Sequence, residues 1–349
     1  MSLLHGVGDF FALDFGTTAI RLVQLSGIMR SGFTLQKYAY VPIEPSVMHD
    51  SSEFGKKKRK EIILDAVHQA GVRTKNVAIG LPARKTYTTI AEVPTQSEKD
   101  LQRTIKYSID QYIPMAADEA EVSYALIGPH PNDPKKSEVL ISSTSKSYAE
   151  VMMEMMETIG FNVVAQEPEP IAMARALNPV GSMDARMIID FGERSTDLVV
   201  VYQGAPRLVR SMPGGLVALV KTAAQTLSVQ EDQARRFILR FGLAQDKLDG
   251  QVFKSIETNL ELYAGELMKS VTFFQNKYTG IPVVGIVMSG FAGVIPFFAE
   301  YIEAKTSIPT IQGNPWQLVK VTQAQQQALM GVASEFAVAI GLAERSNEQ

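Results

Sequence analysis

The chain has 349 residues, room for two or more domains, and its 46% hydrophobic and 20% charged content is that of an ordinary globular protein. A formal net charge of −3 supplies no basic surface for non-specific nucleic-acid binding, so nucleic acid is not an expected partner. The absence of cysteine excludes disulfides, iron–sulfur clusters and thiolate zinc sites, and it fits a reducing compartment.

The first residues lack the basic stretch and apolar core of a signal peptide. Phe10–Gln24 reads as a hairpin and Gly32–Val41 as a further strand. Lys56–Lys60 is a run of five basic residues opening a helix, Glu61–Ala70, whose Ile62, Ile63, Ala66, Val67 and Ala70 share one face. The run reads as a solvated surface, with an anionic lipid or partner surface as the sharper alternative. Val77–Leu81 and Thr86–Val93 read as strands. Thr95-Gln96-Ser97-Glu98 resembles a capping box ahead of a helix, Lys99–Tyr112, which Pro114 ends. Val122–Ile127 and Val139–Ser143 read as strands joined by an exposed loop, Pro129–Lys136. Tyr148–Ile159 is a Met-rich helix with Gly160 as its C-cap and its methionines as core filler. After a strand at Asn162–Gln166, Glu169-Pro170 opens another helix.

The second half repeats the theme. A hairpin at Met187–Tyr202 precedes Leu208–Ser211 and Gly214-Gly215. A helical region follows to about Tyr278, including a long Gln251–Lys277 helix. Ile281–Ala299 is uncharged over 19 residues, the length of a membrane span. Its Pro282, Gly285, Gly290, Gly293 and Pro296 favour instead a strand (Val283–Met288), a glycine turn and a short buried helix, so no membrane span is expected. Helices at Ile295–Lys305 and Gln323–Ala343 close the chain, the last rich in Ala and Gly and able to pack close to a neighbour.

Ala12-Leu13-Asp14-Phe15-Gly16-Thr17-Thr18 and Ile188-Ile189-Asp190-Phe191-Gly192-Glu193-Arg194-Ser195-Thr196-Asp197 are the same pattern twice: strand, Asp-Phe-Gly, small polar residues, strand. Glycine in such a turn leaves backbone N–H groups uncovered, and these favour phosphate oxygens. An Asp at the strand end can hold the water shell of Mg²⁺. One hairpin in each half suggests a nucleotide clamped between two lobes. Glu169 is a candidate third carboxylate that orients or deprotonates an attacking water. Arg21 either reaches a phosphate oxygen or is an exposed strand arginine. A third turn, Met288-Ser289-Gly290-Phe291-Ala292, lets a base or ribose approach the backbone. No Walker loop or G-x-S-x-G elbow occurs, and the four histidines are scattered.

These three turns, in this order, resemble the phosphate-1, phosphate-2 and adenosine loops of the actin–DnaK–sugar-kinase superfamily. Glu169-Pro170-Ile171-Ala172 is similar to the E-P-x-A segment of MreB, where the Glu is assigned to hydrolysis. Within the superfamily the chain resembles the PilM family, the cytoplasmic actin-like component of type IV pilus machinery. The residues that carry this are Phe15 to Leu25 (with Arg21 for the usual Lys), Gln111-Tyr112-Ile113-Pro114, Asp190 to Thr196, Asn314-Pro315-Trp316 and Glu335 to Ala343. The family often has A-E-x-x-K before a glycine, its Glu and Lys contacting the adenosine; here Ala234 to Ile238 puts Arg235 and Ile238 there.

The resemblance implies a two-lobed α/β fold on two ribonuclease-H-like domains. Residues 1–76, completed by 167–185 and 323–349, form the first core; 77–166 is an inserted partner-binding subdomain of the FtsA/PilM type. Residues 186–215 with 279–322 form the second core, and 216–278 its helical subdomain. It implies ATP or ADP with Mg²⁺, held by Asp14, Gly16, Thr17, Thr18, Arg21, Gly192, Ser195, Thr196, Gly214, Gly215, Ser289, Gly290 and Phe291, with Asp14 and Asp190 toward the metal and Glu169 and Asp190 as catalytic carboxylates. It also implies a cytoplasmic scaffold, peripheral to the inner membrane through its partners, with slow or no hydrolysis. The scaffold docks the N-terminal cytoplasmic peptide of a PilN-like inner-membrane protein beside the inserted subdomain and meets other platform components. The alternatives are a filament former of the FtsA/MreB type, with self-association, and a sugar-kinase-type phosphotransferase.

Overall fold

The computed structural model describes residues 9–50 and 52–345. The first half runs β1 (Phe10–Phe15), β2 (Ala19–Ile28), β3 (Gly32–Pro42), α1 (Pro45–His49), α2 (Glu53–Ala70), β4 (Asn76–Leu81), β5 (Thr86–Pro94), α3 (Glu98–Ser108), β6 (Ala120–His130), β7 (Asp133–Ser145), α4 (Lys146–Glu157), β8 (Asn162–Pro168) and α5 (Glu169–Leu177). It continues with β9 (Ala185–Phe191), β10 (Ser195–Tyr202), β11 (Ala205–Pro213), α6 (Leu216–Leu227), α7 (Glu231–Phe241), α8 (Gln251–Lys277), β12 (Val283–Gly290), α9 (Phe298–Thr306), β13 (Thr310–Gln312), β14 (Val319–Lys320), α10 (Gln323–Leu329) and α11 (Ala337–Ala343). The chain divides into two compact units: the part up to Ala176 together with the part from Pro315, and Leu177–Asn314.

The first unit is built on a six-stranded sheet of order β14-β3-β2-β1-β4-β8. β1 pairs antiparallel with β2 and parallel with β4, so it lies inside the sheet. Its residues are apolar on both faces because both are covered. Phe11, Leu13 and Phe15 pack with Ile63, Ala66 and Val67 of α2 and with Met152 and Met156 of α4. Ala12 packs with Ala172 and Ala176 of α5 and Ala339, Ile340 and Leu342 of α11. Two-sided burial is the usual condition of a sheet with parallel pairs.

A second, three-stranded antiparallel sheet of order β5-β7-β6 carries α3 on one face. Ala91, Val93, Leu101, Ile105, Val139 and Ile141 form its own small core. β4 and β8 are strands of the six-stranded sheet, and α4 packs on that sheet. The separate fold is therefore confined to the stretch between Leu81 and Lys146, narrower than the 77–166 read from the sequence. The stretch Pro129–Lys136 is not a loop: β6 and β7 run on to a tight connection at Pro131-Asn132. α3 is capped by Ser97, whose Oγ accepts from the Asp100 N–H at 3.3 Å. Thr95 is unavailable as a helix start because its N–H donates to the Lys135 carbonyl at 2.8 Å, prolonging the ladder.

The expected terminal helix is broken. α10 ends at Leu329, Gly331 takes φ +92°, and the helical axis turns by 98° before Ala333–Ala343. α11 then lies so close to α5 that a Cβ on Gly341 would overlap the Ala172 carbonyl.

The second unit has a five-stranded sheet of order β11-β10-β9-β12-β13. Met187, Ile189 and Phe191 of β9 and Leu198 and Val200 of β10 project into one core with α6, α7, α8 and α9. The uncharged stretch Ile281–Ala299 is β12, a 3-10 turn at Phe291–Gly293 and the approach to α9. α9 starts at Phe298 because Phe297 has φ 62°. Among the described residues no single helix is long and apolar enough to cross a membrane; the α10 and Ala333–Ala343 pair passes only as a bent pair.

Under α11 lies a buried charge cluster. Arg175 donates to Glu167 at 3.0 Å, and Arg345 stands 3.7 Å from the same carboxylate. Glu344 is 1% exposed, and burial pushes its carboxyl up to about 8, with Arg175 opposing. A carboxyl whose folded pKa is raised contributes most below its unfolded value, and that contribution is lost as pH rises toward the folded pKa. Glu344→Gln is therefore expected to leave stability nearly unchanged at pH 4.5. It should stabilise the protein by roughly 2–4 kcal/mol above pH 8, checked by urea unfolding across that window.

Candidate functional site

In the first unit, β1 and β2 are joined through Gly16-Thr17-Thr18. The registers Asp14↔Arg21 and Arg21↔Tyr40 place these three side chains in one row across β1, β2 and β3. Arg21 is buried. It donates to Asp14 Oδ2 at 3.2 Å and to the Glu335 carboxylate, and its guanidinium carbon lies 5.6 Å from the centre of the Tyr40 ring. Tyr40 donates its hydroxyl to Glu335 at 3.1 Å. A Cβ on Gly16 would stand 2.8 Å from the Ala19 carbonyl oxygen and overlap the Arg21 guanidinium, so the turn needs glycine. Burial raises the Asp14 carboxyl above its usual value, Arg21 opposes, and Glu335 adds to the rise. Burial alone would lower Arg21, but Asp14 and Glu335 carry it above the ordinary arginine value. Arg21 is thus the cation of the first turn and not an exposed strand residue. Thr17 and Thr18 are half-buried in the turn, and the Thr18 carbonyl accepts from Ile43 N–H at 2.9 Å.

Glu169 opens α5. Its Cγ lies 3.0 Å from where a Cβ on Gly80 of β4 would stand. It also faces Tyr148, whose hydroxyl is pushed up to about 12 by burial and then by the Glu169 charge.

In the second unit, Gly192 N–H donates to the Ser195 carbonyl at 3.0 Å, and the Gly192 carbonyl accepts from Leu216 N–H at 3.1 Å. Thr196 is fully buried and donates to the Gly214 carbonyl at 2.9 Å. A Cβ on Gly215 would stand 2.9 Å from the Glu193 carbonyl oxygen. Thr196, Gly214 and Gly215 therefore build the turn and hold it against the start of α6. The register places Asp190 opposite Asp197 on β10 and beside Ser289 on β12. The position seven residues after the Asp, which is Arg21 in the first hairpin, is Asp197 in the second. Two carboxylates on one face favour a hard cation.

Glu193, 7% exposed, is gripped by Arg235 of α7 through two bonds of 2.7 and 2.9 Å. The Arg235 guanidinium lies 5.3 Å from the centre of the Phe291 ring in the third turn. Gly290 has φ 66°, and a Cβ there would stand 2.6 Å from the Phe191 carbonyl oxygen, so only glycine fits. Ser289 beside it is buried. Sequence reasoning noted Glu193 and Arg235 separately but missed their pairing, as it missed Tyr40, Asp197 and the role of Glu335. Strand register is the signal that locates Tyr40 and Asp197.

A carboxylate–imidazole group also occurs on the three-stranded sheet: Glu92, His130 and Glu138. His130 Nδ1 accepts from Asn132 N–H at 3.1 Å, and Nε2 stands 3.7 Å from Glu92. Accepting at Nδ1 leaves the neutral ring its proton on Nε2, which then offers no lone pair to a metal. Lys136 donates to Glu92 at 2.9 Å.

Arg235→Ala leaves the buried Glu193 carboxylate without its fork of donors. It is expected to cost about 1–2 kcal/mol, the side chain of Arg235 being itself partly exposed. A double-mutant cycle with Glu193→Gln, followed by chemical denaturation, should return a coupling of about 1 kcal/mol.

The family model for type IV pilus assembly protein PilM matches residues 12–347. The fold is similar to that in a structure of the "PilM-PilN type IV pilus biogenesis complex", at 20% identity over 98% of this chain and 99% of that one, with a TM-score of 0.81. It is also similar to the ethanolamine utilization protein EutJ from Carboxydothermus hydrogenoformans (14% identity, 97% and 90% covered, TM-score 0.57). A third similar structure is MreB 5 of Spiroplasma citri bound to AMPPNP (12%, 95% and 94% covered, TM-score 0.51). These neighbours share the actin-like fold. With its family match spanning nearly the whole length, the chain belongs to the PilM family of type IV pilus assembly proteins.

Proposed function

We propose that this protein is a nucleotide-binding scaffold of a type IV pilus assembly platform, docking the N-terminal cytoplasmic peptide of a PilN-like inner-membrane protein. The observation that carries the reading is the family match over residues 12–347, together with an end-to-end fold likeness to a protein solved in complex with PilN. The docking groove lies beside the three-stranded sheet of the first unit, and the partner holds the scaffold at the inner membrane from the cytoplasmic side.

The fit of ATP or ADP rests on the turns themselves. Gly16 leaves the backbone of the first turn uncovered for phosphate oxygens, while Arg21 is held between Asp14 and Glu335; in the second turn the exposed Arg194 brings positive charge. Thr17, Thr18 and Ser195 line these turns, while Ser289, Gly290 and Phe291 form the turn for the nucleoside. The two hairpins differ toward Mg²⁺. The Asp14 carboxylate is already matched by Arg21, so the first turn does not fit a directly bound metal. Asp190, with Asp197 opposite, has the oxygen donors a hard cation prefers. Bound there, Mg²⁺ would offset phosphate charge.

Glu169 remains the candidate for orienting water, with turnover slow or absent. The sugar-kinase reading needs a free base in the second turn, and both oxygens of Glu193 are engaged by Arg235. A filament-forming role has only the shared fold behind it.

Calorimetric titration with synthetic N-terminal peptides of the PilN-like partner should give saturable binding with a Kd of about 1–100 μM, some −8 to −5 kcal/mol. A full panel of such peptides giving neither heat nor saturation would overturn the docking role.

A further inference from the structure

The basic run Lys56–Lys60 has no part in the nucleotide turns or in the fold's core. It occupies the first two turns of α2, where positive charge opposes the helix dipole and Lys56 and Lys60 repel one another at i, i+4. The local structure does not relieve this. Five cations meet the carboxylates of Asp50, Glu53 and Glu61, which leaves two positive charges on a chain whose total is negative. Lys56 donates to Glu53 at 2.7 Å, and Lys58 stands 3.4 Å from Glu61. Arg59 serves the fold, donating to the Val47 and Asp50 carbonyls at 2.8 and 2.6 Å. Lys57 has no carboxylate partner among the described residues and projects into solvent with Lys56 and Lys58.

Beside these lysines an aromatic ring is exposed without structural need. Phe54 is 72% exposed, while Gly55 next to it is buried against Asp50. Phe54, Lys57, Lys58 and Glu61 follow the i, i+3, i+4, i+7 spacing and share one stripe, opposite the stripe of Ile63, Ala66, Val67 and Ala70 that packs on the sheet. An aromatic ring among flexible lysines suits the boundary between anionic headgroups and acyl chains. The lysine stems are apolar, their charges stay with the phosphates, and the ring enters the interface.

We infer that the start of α2, with Phe54, Lys57 and Lys58 on one stripe and the exposed Lys56 beside them, contacts the surface of an anionic lipid bilayer directly. The contact goes beyond the proposed partner-mediated attachment and does not depend on it. It orients the first unit on the membrane and is weak and salt-sensitive, as one ring and a few lysines dictate.

The test is flotation of the purified full-length protein with protein-free vesicles. It should float with phosphatidylcholine vesicles containing about one-third phosphatidylglycerol and not with phosphatidylcholine alone. Raising salt to about 0.5 M should release it. Lys57→Glu with Lys58→Glu should lower the bound fraction about fivefold or more, and Phe54→Ser about threefold, with far-UV circular dichroism and melting unchanged. The charge-reversed variant should still bind the partner peptide, which separates failure of this contact from failure of the docking role. Equal flotation with neutral vesicles, undiminished binding of the folded charge-reversed variant, or capture of polyglutamate without capture of anionic vesicles would each overturn the lipid contact.

Discussion

The buried ion row Asp14–Arg21–Glu335 is the constraint on which the first unit rests. β1 lies inside the six-stranded sheet, and a carboxylate at its end is costly to bury unless a cation meets it. Arg21 meets it across the ladder, and Glu335, 314 residues further along the chain, holds the other side of the same guanidinium. The first hairpin and the C-terminal segment are thus tied by one charge. The glycine of the first turn fits it, since a Cβ at position 16 would meet both that guanidinium and the Ala19 carbonyl oxygen. So does the place of Tyr40, which borders the arginine and donates to Glu335.

The second hairpin has the same skeleton and the opposite charge. Where the first has Arg21 across from its Asp, the second has Asp197. The second turn has an exposed arginine of its own, Arg194, and a further one from α7, Arg235, which is engaged by Glu193 and the face of Phe291. The two turns therefore divide the chemistry. In the first the guanidinium is held between the carboxylates of Asp14 and Glu335; in the second two aspartates stand opposite one another across β9 and β10. A second turn whose only extra carboxylate is locked by a bidentate arginine suits holding a ligand better than activating a substrate hydroxyl.

Much of this fold is written in the local sequence. The paired Asp-Phe-Gly hairpins, the Met-rich α4, the long α8 and the glycine-broken stretch after Tyr278 all announce themselves by periodicity and turn residues. What escaped depends on distant strands. Val77–Leu81 and Asn162–Gln166 look like parts of an insertion until β4 is seen pairing with both β1 and β8. Thr95 looks like a cap until its N–H is found in a ladder with Lys135. The last helix reads as continuous because Gly331 is tolerated in a helical pattern, and only packing against α5 shows the bend. The site divides the same way. Asp14, Gly16, Asp190, Gly192 and Gly290 are legible from spacing, whereas the partners of Arg21 and Arg235 lie on other elements and no local pattern names them.

The turn at Asp190 is the proposed metal site, because the Asp14 carboxylate is already paired with Arg21. Electron paramagnetic resonance of Mn²⁺, standing in for Mg²⁺, in the presence of ADP tests it most directly on the wild type, Asp14→Asn and Asp190→Asn. Bound Mn²⁺ should persist in the wild type and in Asp14→Asn and disappear in Asp190→Asn. Loss of the bound ion in Asp14→Asn with retention in Asp190→Asn, or no bound ion in the wild type, would contradict it.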